Sequence, residues 1–147
     1  MIPQIRNSRA RVTRARIAEI EEQLDVELPA PYRNFLLQHN GGRPRPATFV
    51  PKGESEATET VHCFLAIDGD PDVDDLLTNV EDYGGRISDA FLPVALDAFG
   101  NLICIRVKGK SKNRIYFWDH EMEDDEDIDP MRLVAEDWDT FVSSFQD

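Results

Sequence analysis

Leu92-Pro93-Val94-Ala95-Leu96-Asp97-Ala98-Phe99-Gly100-Asn101-Leu102-Ile103-Cys104-Ile105-Arg106-Val107, followed after Lys108–Asn113 by Arg114-Ile115-Tyr116-Phe117-Trp118, decides the fold. Three apolar runs, Leu92–Leu96, Leu102–Val107 and Arg114–Trp118, succeed one another with only short turns between them. A helix buried on one face needs about ten or more residues of 3.6-residue periodicity, whereas short runs bounded by Gly and Asn read as strands. The spacing predicts a β-meander. Leu102–Val107 is apolar at successive positions, so both of its faces are buried and it is the central strand, covered by helices.

Upstream, Ile17, Ile20 and Leu24 recur at helical spacing behind Thr13, a good N-cap, and predict a helix over 13–24. Asp25–Leu28 is a connector. Pro29 and Pro31 open a second helix, whose stripe is Tyr32, Phe35, Leu36 and His39, and Asn40-Gly41-Gly42 ends it. Residues 43–53 read as a loop with at most one short strand near Phe49. Val61–Ile67 reads as a strand, and Val73, Leu76, Leu77 and Val80 predict a helix over 72–82 capped by Asp72. Val134, Trp138, Phe141, Val142 and Phe145 mark a C-terminal amphipathic helix. Helices at both ends of a mainly antiparallel or mixed sheet make an α+β domain.

The chain has 147 residues, 41% hydrophobic and 31% charged, which is the balance of one globular domain. A chain of that length buries roughly 70% of its unfolded surface, so its core needs no metal or disulfide. Cys63 and Cys104 each sit in an apolar run and read as buried thiols of low reactivity in a reducing, cytoplasmic setting. No apolar stretch is long enough to span a membrane, and the start lacks the apolar segment of a secretory signal. Asp and Glu total 29 against 16 Lys and Arg, a net charge of −13. That sign argues against direct nucleic-acid binding, which needs a basic face for phosphates. The charge is also uneven: residues 1–52 carry +4 and residues 53–147 carry −17. Five arginines precede Ile17, so residues 1–12 read as a flexible basic arm and 13–147 as the folded domain.

Candidate chemistry is sparse. Asp68–Asp74 resembles a calcium loop, but in that register its sixth position is Val73 instead of Gly, and its twelfth is Asn79 instead of Glu. His120-Glu121-Met122-Glu123-Asp124 misses the second histidine of a zinc helix. Gly-x-Ser-x-Gly, the phosphate-binding P-loop and Gly-x-Gly-x-x-Gly are all absent, so no nucleophile or cofactor motif stands out. Arg14 and Arg16 oppose the dipole of the first helix, which is tolerated in solvent or against acids of this chain or a partner. The run Glu121–Asp129 repels itself and stays hydrated, or it forms a pre-charged surface that steers a basic partner. Trp118, Tyr83 and Phe99 are candidate aromatic anchors beside the acids.

Four segments in order resemble the SUKH superfamily. Ile17-x-x-x-Glu21-x-x-Leu24 with Leu28-Pro29-x-x-Tyr32-x-x-Phe35-Leu36 and Asn40-Gly41-Gly42 is similar to its opening signature. Leu92-Pro93-Val94-Ala95-x-Asp97-x-x-Gly100-Asn101 with Ile103-Cys104-Ile105 is similar to its central hairpin. Ile115–Glu121 and Trp138-x-x-Phe141 are similar to the following strand and the closing helix. The arginine segment before Thr13 lies outside the pattern, and the acids after Glu121 are denser than it requires. The resemblance implies an α+β scaffold without catalysis. Bacterial members are commonly immunity proteins that neutralise toxins, and fungal relatives include a regulator of cell-wall synthesis that works through protein contacts.

The expectation is therefore a non-enzymatic cytoplasmic immunity protein, without cofactor or metal, that binds a basic cognate toxin such as a nuclease. Its contact residues would be Asp70, Asp72, Asp74, Asp75, Trp118, Asp119, Glu121, Glu123, Asp124, Asp125, Glu126, Asp127 and Asp129. One alternative is a regulatory adaptor with a housekeeping partner, using the arginine segment for nucleic acid or an acidic protein. Another is an enzyme or metal protein built on the Asp-rich loop and His120-Glu121.

Overall fold

The computed structural model describes residues 1–56 and 58–147. Among these residues, four α-helices and nine strands form an α+β domain with antiparallel sheets. Its centre is a five-stranded sheet in the order β5 (Cys63–Phe64), β6 (Phe91–Leu96), β7 (Leu102–Arg106), β8 (Ile115–Trp118), β9 (Met131–Ala135). The predicted meander is β6–β7–β8, and β7 is the middle strand. Pro93, which lacks a donor, is accommodated where the register shifts between Pro93 and Ala95.

Alternation along β7 divides the core. Ile103 and Ile105 face the main cluster with Ile17, Ile20, Leu36, Trp138 and Phe141. Leu102 and Cys104 face a smaller cluster with Trp118, Tyr83 and Ile87. Helices thus cover one face of the central strand, and the second cluster includes residues of the 83–91 segment.

α1 (Arg14–Leu24) starts where Thr13 Oγ1 accepts the Arg16 N–H at 3.1 Å, as its sequence predicts. α2 (Ala30–Gln38) follows Pro29 and ends before Gly41 and Gly42, at φ +75° and +114°. Both glycines are obligatory. A Cβ at Gly41 would lie 2.7 Å from the Ala66 Cβ, and one at Gly42 would lie 2.7 Å from the Arg6 carbonyl.

The strand read over Val61–Ile67 is only β5, Cys63–Phe64, and four further regions depart from the sequence reading. The basic segment is docked: β1 (Gln4–Arg6) pairs with β2 (Arg43–Arg45), and the Arg9 N–H bonds the Asn40 carbonyl at 2.8 Å. The flexible-arm reading is corrected accordingly, because tertiary partners satisfy a backbone that local sequence leaves open. Residues 43–53 hold β2 and β3 (Thr48–Phe49), which pairs with β4 (Glu59–Thr60), where one strand near Phe49 was expected. α3 (Leu76–Asp82) begins four residues later than predicted, with Asp75 as cap in place of Asp72. Asp75 accepts the Thr78 N–H at 3.0 Å and the Thr78 hydroxyl at 2.7 Å, while residues 70–75 close a turn on the Asp70 carbonyl. Finally, Val134 belongs to β9, and α4 is Trp138–Ser143 behind Asp137, which caps Thr140 N–H at 2.8 Å. Val134 fits both periodicities, and pairing with β8 decides for the strand.

Candidate functional site

The sheet register gathers the candidate residues. Cys63 pairs with Leu96, Leu96 with Leu102, Leu102 with Trp118 and Trp118 with Met131. These five residues form one row across the sheet, about 19 Å wide at ~4.8 Å per strand. Immediately beyond the row come His62, the turn Asp97–Asn101 and the segment Asp119–Pro130, so all three share one end of the sheet.

The central turn is rigid. The half-buried to buried Asp97 carboxylate accepts the N–H of Phe99 at 2.8 Å, the N–H of Asn101 at 2.9 Å and the Asn101 side-chain amide at 2.8 Å. Asn101 Oδ1 in turn accepts His120 N–H at 3.1 Å and His120 Nδ1–H at 2.6 Å. This chain of bonds ties the β6–β7 turn to the start of the acidic segment. It also presents Phe99 outward, 77% exposed, with its backbone N–H bonded to Asp97.

The segment that follows is an acidic loop. Asp119 Oδ1 caps a short 3-10 turn, His120–Met122, by accepting the Glu121 N–H at 3.0 Å. Asp125 and Asp129 accept the N–H groups of Asp127 and Met131. All three bonds come from neutral backbone donors, and among the described residues no cation answers these carboxylates. Glu121 and Asp124–Asp129 are exposed. Only Glu123 is drawn back: Arg86 grips it through two bonds of 2.8 and 2.9 Å and holds its carboxyl below the usual carboxylate range. Arg86 in turn stacks 5.1 Å from the centres of both Tyr83 and Trp118.

The second acidic cluster is spent inside the fold. Asp74 is 5% exposed and takes two bonds from Arg9, at 2.9 and 3.1 Å, and one from the Asp70 N–H at 2.8 Å. Arg16 holds Asp68 through bonds of 3.0 and 2.8 Å and depresses its pKa. Asp75 caps α3, and Asp70 accepts the Asp72 N–H at 2.9 Å. Arg9 of the basic segment and Arg16 of the first helix are therefore answered by acids of this same chain. Among the described residues, no group of three or more His, Cys, Asp or Glu is placed to hold a metal ion.

Two predicted contact residues are buried: Trp118 is 1% exposed and Asp74 5%, so neither is available on the surface as it stands. A tryptophan inside an apolar strand and a carboxylate with a guanidinium partner are both drawn inward. The remaining predicted residues are at least partly exposed, but they form two groups: Asp70, Asp72 and Asp75 stand before α3, and Asp119–Asp129 form the loop that Arg86, beyond the end of α3, grips at Glu123. The cysteines are inert by the same burial, which pushes the Cys63 thiol up to about 11 and raises Cys104 further.

Sequence reasoning missed the basic side of this sheet end. Gly42 bridges Phe64, so β2 runs beside β5 and brings Arg43 and Pro44 against His62. Arg43, Pro44, Ala47, Val61, His62 and Phe99 surround a shallow, mainly apolar trough of about 470 Å³. The only signal was Arg43-Pro44-Arg45, a charged–apolar–charged triplet too short to read as a strand.

An antiparallel five-stranded sheet with helices packed on it and an exposed acidic loop at one end defines an α+β scaffold. The chain belongs to the SMI1 / KNR4 family (SUKH-1), whose model matches residues 11–144. It is similar to the SPbeta prophage-derived uncharacterized protein YokK of Bacillus subtilis (strain 168). The two are 25% identical over 155 residues, covering 92% of this chain and 75% of that protein. Among the described residues, no helix is long and apolar enough to cross a membrane.

Proposed function

We propose that this protein is an immunity protein: it binds a basic cognate toxin and neutralises it by contact, without catalysis of its own. The observation that carries the reading is the exposed loop Glu121–Asp129, where Glu121, Asp124, Asp125, Glu126, Asp127 and Asp129 stand in solvent without a cationic partner among the described residues. Concentrated like charge destabilises a free protein by self-repulsion, and it attracts positive charge on a partner. A nuclease must keep a positive groove for phosphates, and carboxylates laid over it provide both steering and occlusion. Family membership and a relative of prophage origin support the same reading. Asp70 and Asp72 belong to the other acidic group and form a secondary contact.

The test is co-purification with a basic toxin domain encoded beside this protein's gene, followed by titration at several salt concentrations. Affinity is expected to fall steeply with rising salt. Replacing Asp124, Asp125, Glu126 and Asp127 by their amides should weaken binding about 100-fold or more at low salt, mainly through a slower association rate. Binding indifferent to salt and to these amides would remove the acidic loop from the mechanism. A toxin neighbour that does not bind at all would remove the immunity reading.

A further inference from the structure

The sheet end carries both signs of charge, in order. On one side stand Arg43 and Arg45 of β2, with Arg6 directly across the ladder from Arg43. All three are exposed, and among the described residues none has a carboxylate within ion-pair distance, although the chain holds 29 acids. Two arginines facing each other on a ribbon cost stability. In the middle stands Phe99, and on the other side stands the acidic loop. A basic partner on the acidic loop would leave these arginines unanswered.

We propose that this rim is a self-complementary interface that pairs two copies of the chain about a two-fold axis near Phe99. A row ordered positive, aromatic, negative becomes negative, aromatic, positive when turned by a half rotation, so every group meets its complement. Arg43 and Arg45 of each copy face the acidic loop of its partner copy, and the two Phe99 rings meet at the centre. The apolar content matches as well. Ile128 is 45% exposed within the acidic loop, and the trough bordered by Pro44, Ala47, Val61 and Phe99 offers it an apolar seat.

The net charge of −13 per copy opposes association at long range. At physiological salt that repulsion is screened beyond about 8 Å, whereas the rim pairs act in contact. A rim about 19 Å across buries less than the ~800 Å² per partner of a stable dimer, so the pairing is weak and reversible. The inference stands apart from the toxin reading, because it concerns the free protein. If both hold, a toxin on the acidic loop displaces the second copy.

Sedimentation equilibrium of the full chain, from about 10 μM to about 1 mM, tests it directly. The wild type is expected to show a monomer–dimer equilibrium within that range. Phe99→Ala, at an exposed position, should weaken it about tenfold or more. Arg43→Glu with Arg45→Glu makes the rim wholly acidic, and Asp124→Lys, Asp125→Lys and Asp127→Lys together make it basic at its other end. Each variant alone should remain monomeric, while their equimolar mixture should associate at least as tightly as the wild type. A wild type that is monomeric throughout overturns the proposal and leaves the rim to a foreign protein. A dimer that ignores all of these substitutions also overturns it, since another face would then be responsible.

Discussion

A single buried amide, Asn40, joins three parts of the chain that are distant in sequence. Its Nδ2 donates to the carbonyls of Ala10 at 2.9 Å and Ile67 at 2.8 Å, while its Oδ1 accepts the Ile67 N–H at 2.8 Å. The sequence marks Asn40 only as a helix stop, because Asn before Gly-Gly is sufficient reason for one. Its second role depends on partners thirty residues away and leaves no local trace. Replacing Asn40 by Ala strands buried backbone groups, at a cost of about 3 kcal/mol when two or more lose their partners. Urea unfolding is expected to show the midpoint falling with the slope unchanged. An unaltered midpoint would mean that water replaces the amide. Thr13 is the contrasting case: its cap is a bond to the residue three further on, which is why the start of α1 was legible. Asp72 and Asp75 were not separable in this way, since either can cap a helix, and the tertiary bridge between Ala66 and Asp75 decides.

At the scale of elements, the meander strands β6, β7 and β8 were readable, whereas the five residues of β9 were not and Val134 among them was read as helix, and the short strands β1, β2 and β4 were not seen. β6, β7 and β8 were legible because alternating core positions and turn residues agree. β1 and β2, three residues each, carry no period, and their pairing is stabilised by contacts that span the chain. Ser8 reaches the Gly41 carbonyl at 2.9 Å, and Ile5 packs on the main core. Removing residues 1–8 deletes this strand together with the half-buried Ile5, uncovers β2 and opens the part of the core that Ile5 covers. The expected loss of melting temperature is about 8 °C for two to three kcal/mol in a domain of this size. Calorimetry checks it, and a truncated chain that melts with the wild type would restore the flexible-arm reading. The same deletion leaves the acidic loop untouched, so loss of toxin binding at a temperature where the shortened chain is folded would count against that loop as the contact.

The whole molecule shows where charge can be read from sequence and where it cannot. Charge density alone located both acidic groups. Which of them faces outward depended on pairs such as Arg9–Asp74 and Arg16–Asp68, formed between residues 65 and 52 positions apart. Once those pairs are made, the uncompensated charge concentrates in the loop after Trp118, and its cost falls on the folded state. Raising the salt concentration at pH 7 screens that repulsion, so the melting temperature of the wild type is expected to rise by a few degrees between about 20 and 500 mM sodium chloride. The chain carrying amides at 124, 125, 126 and 127 begins closer to neutrality. It should melt higher at low salt and respond less to added salt, while binding its toxin more weakly. Stability and binding would then move in opposite directions from the same four positions, as expected of carboxylates kept for a partner and not for the fold. If instead the amide variant melts lower than the wild type, those side chains support the loop itself, through bonds such as Asp125 to the Asp127 N–H. The excess negative charge would then have a structural reason, and the case for a waiting cationic surface would rest on affinity measurements alone.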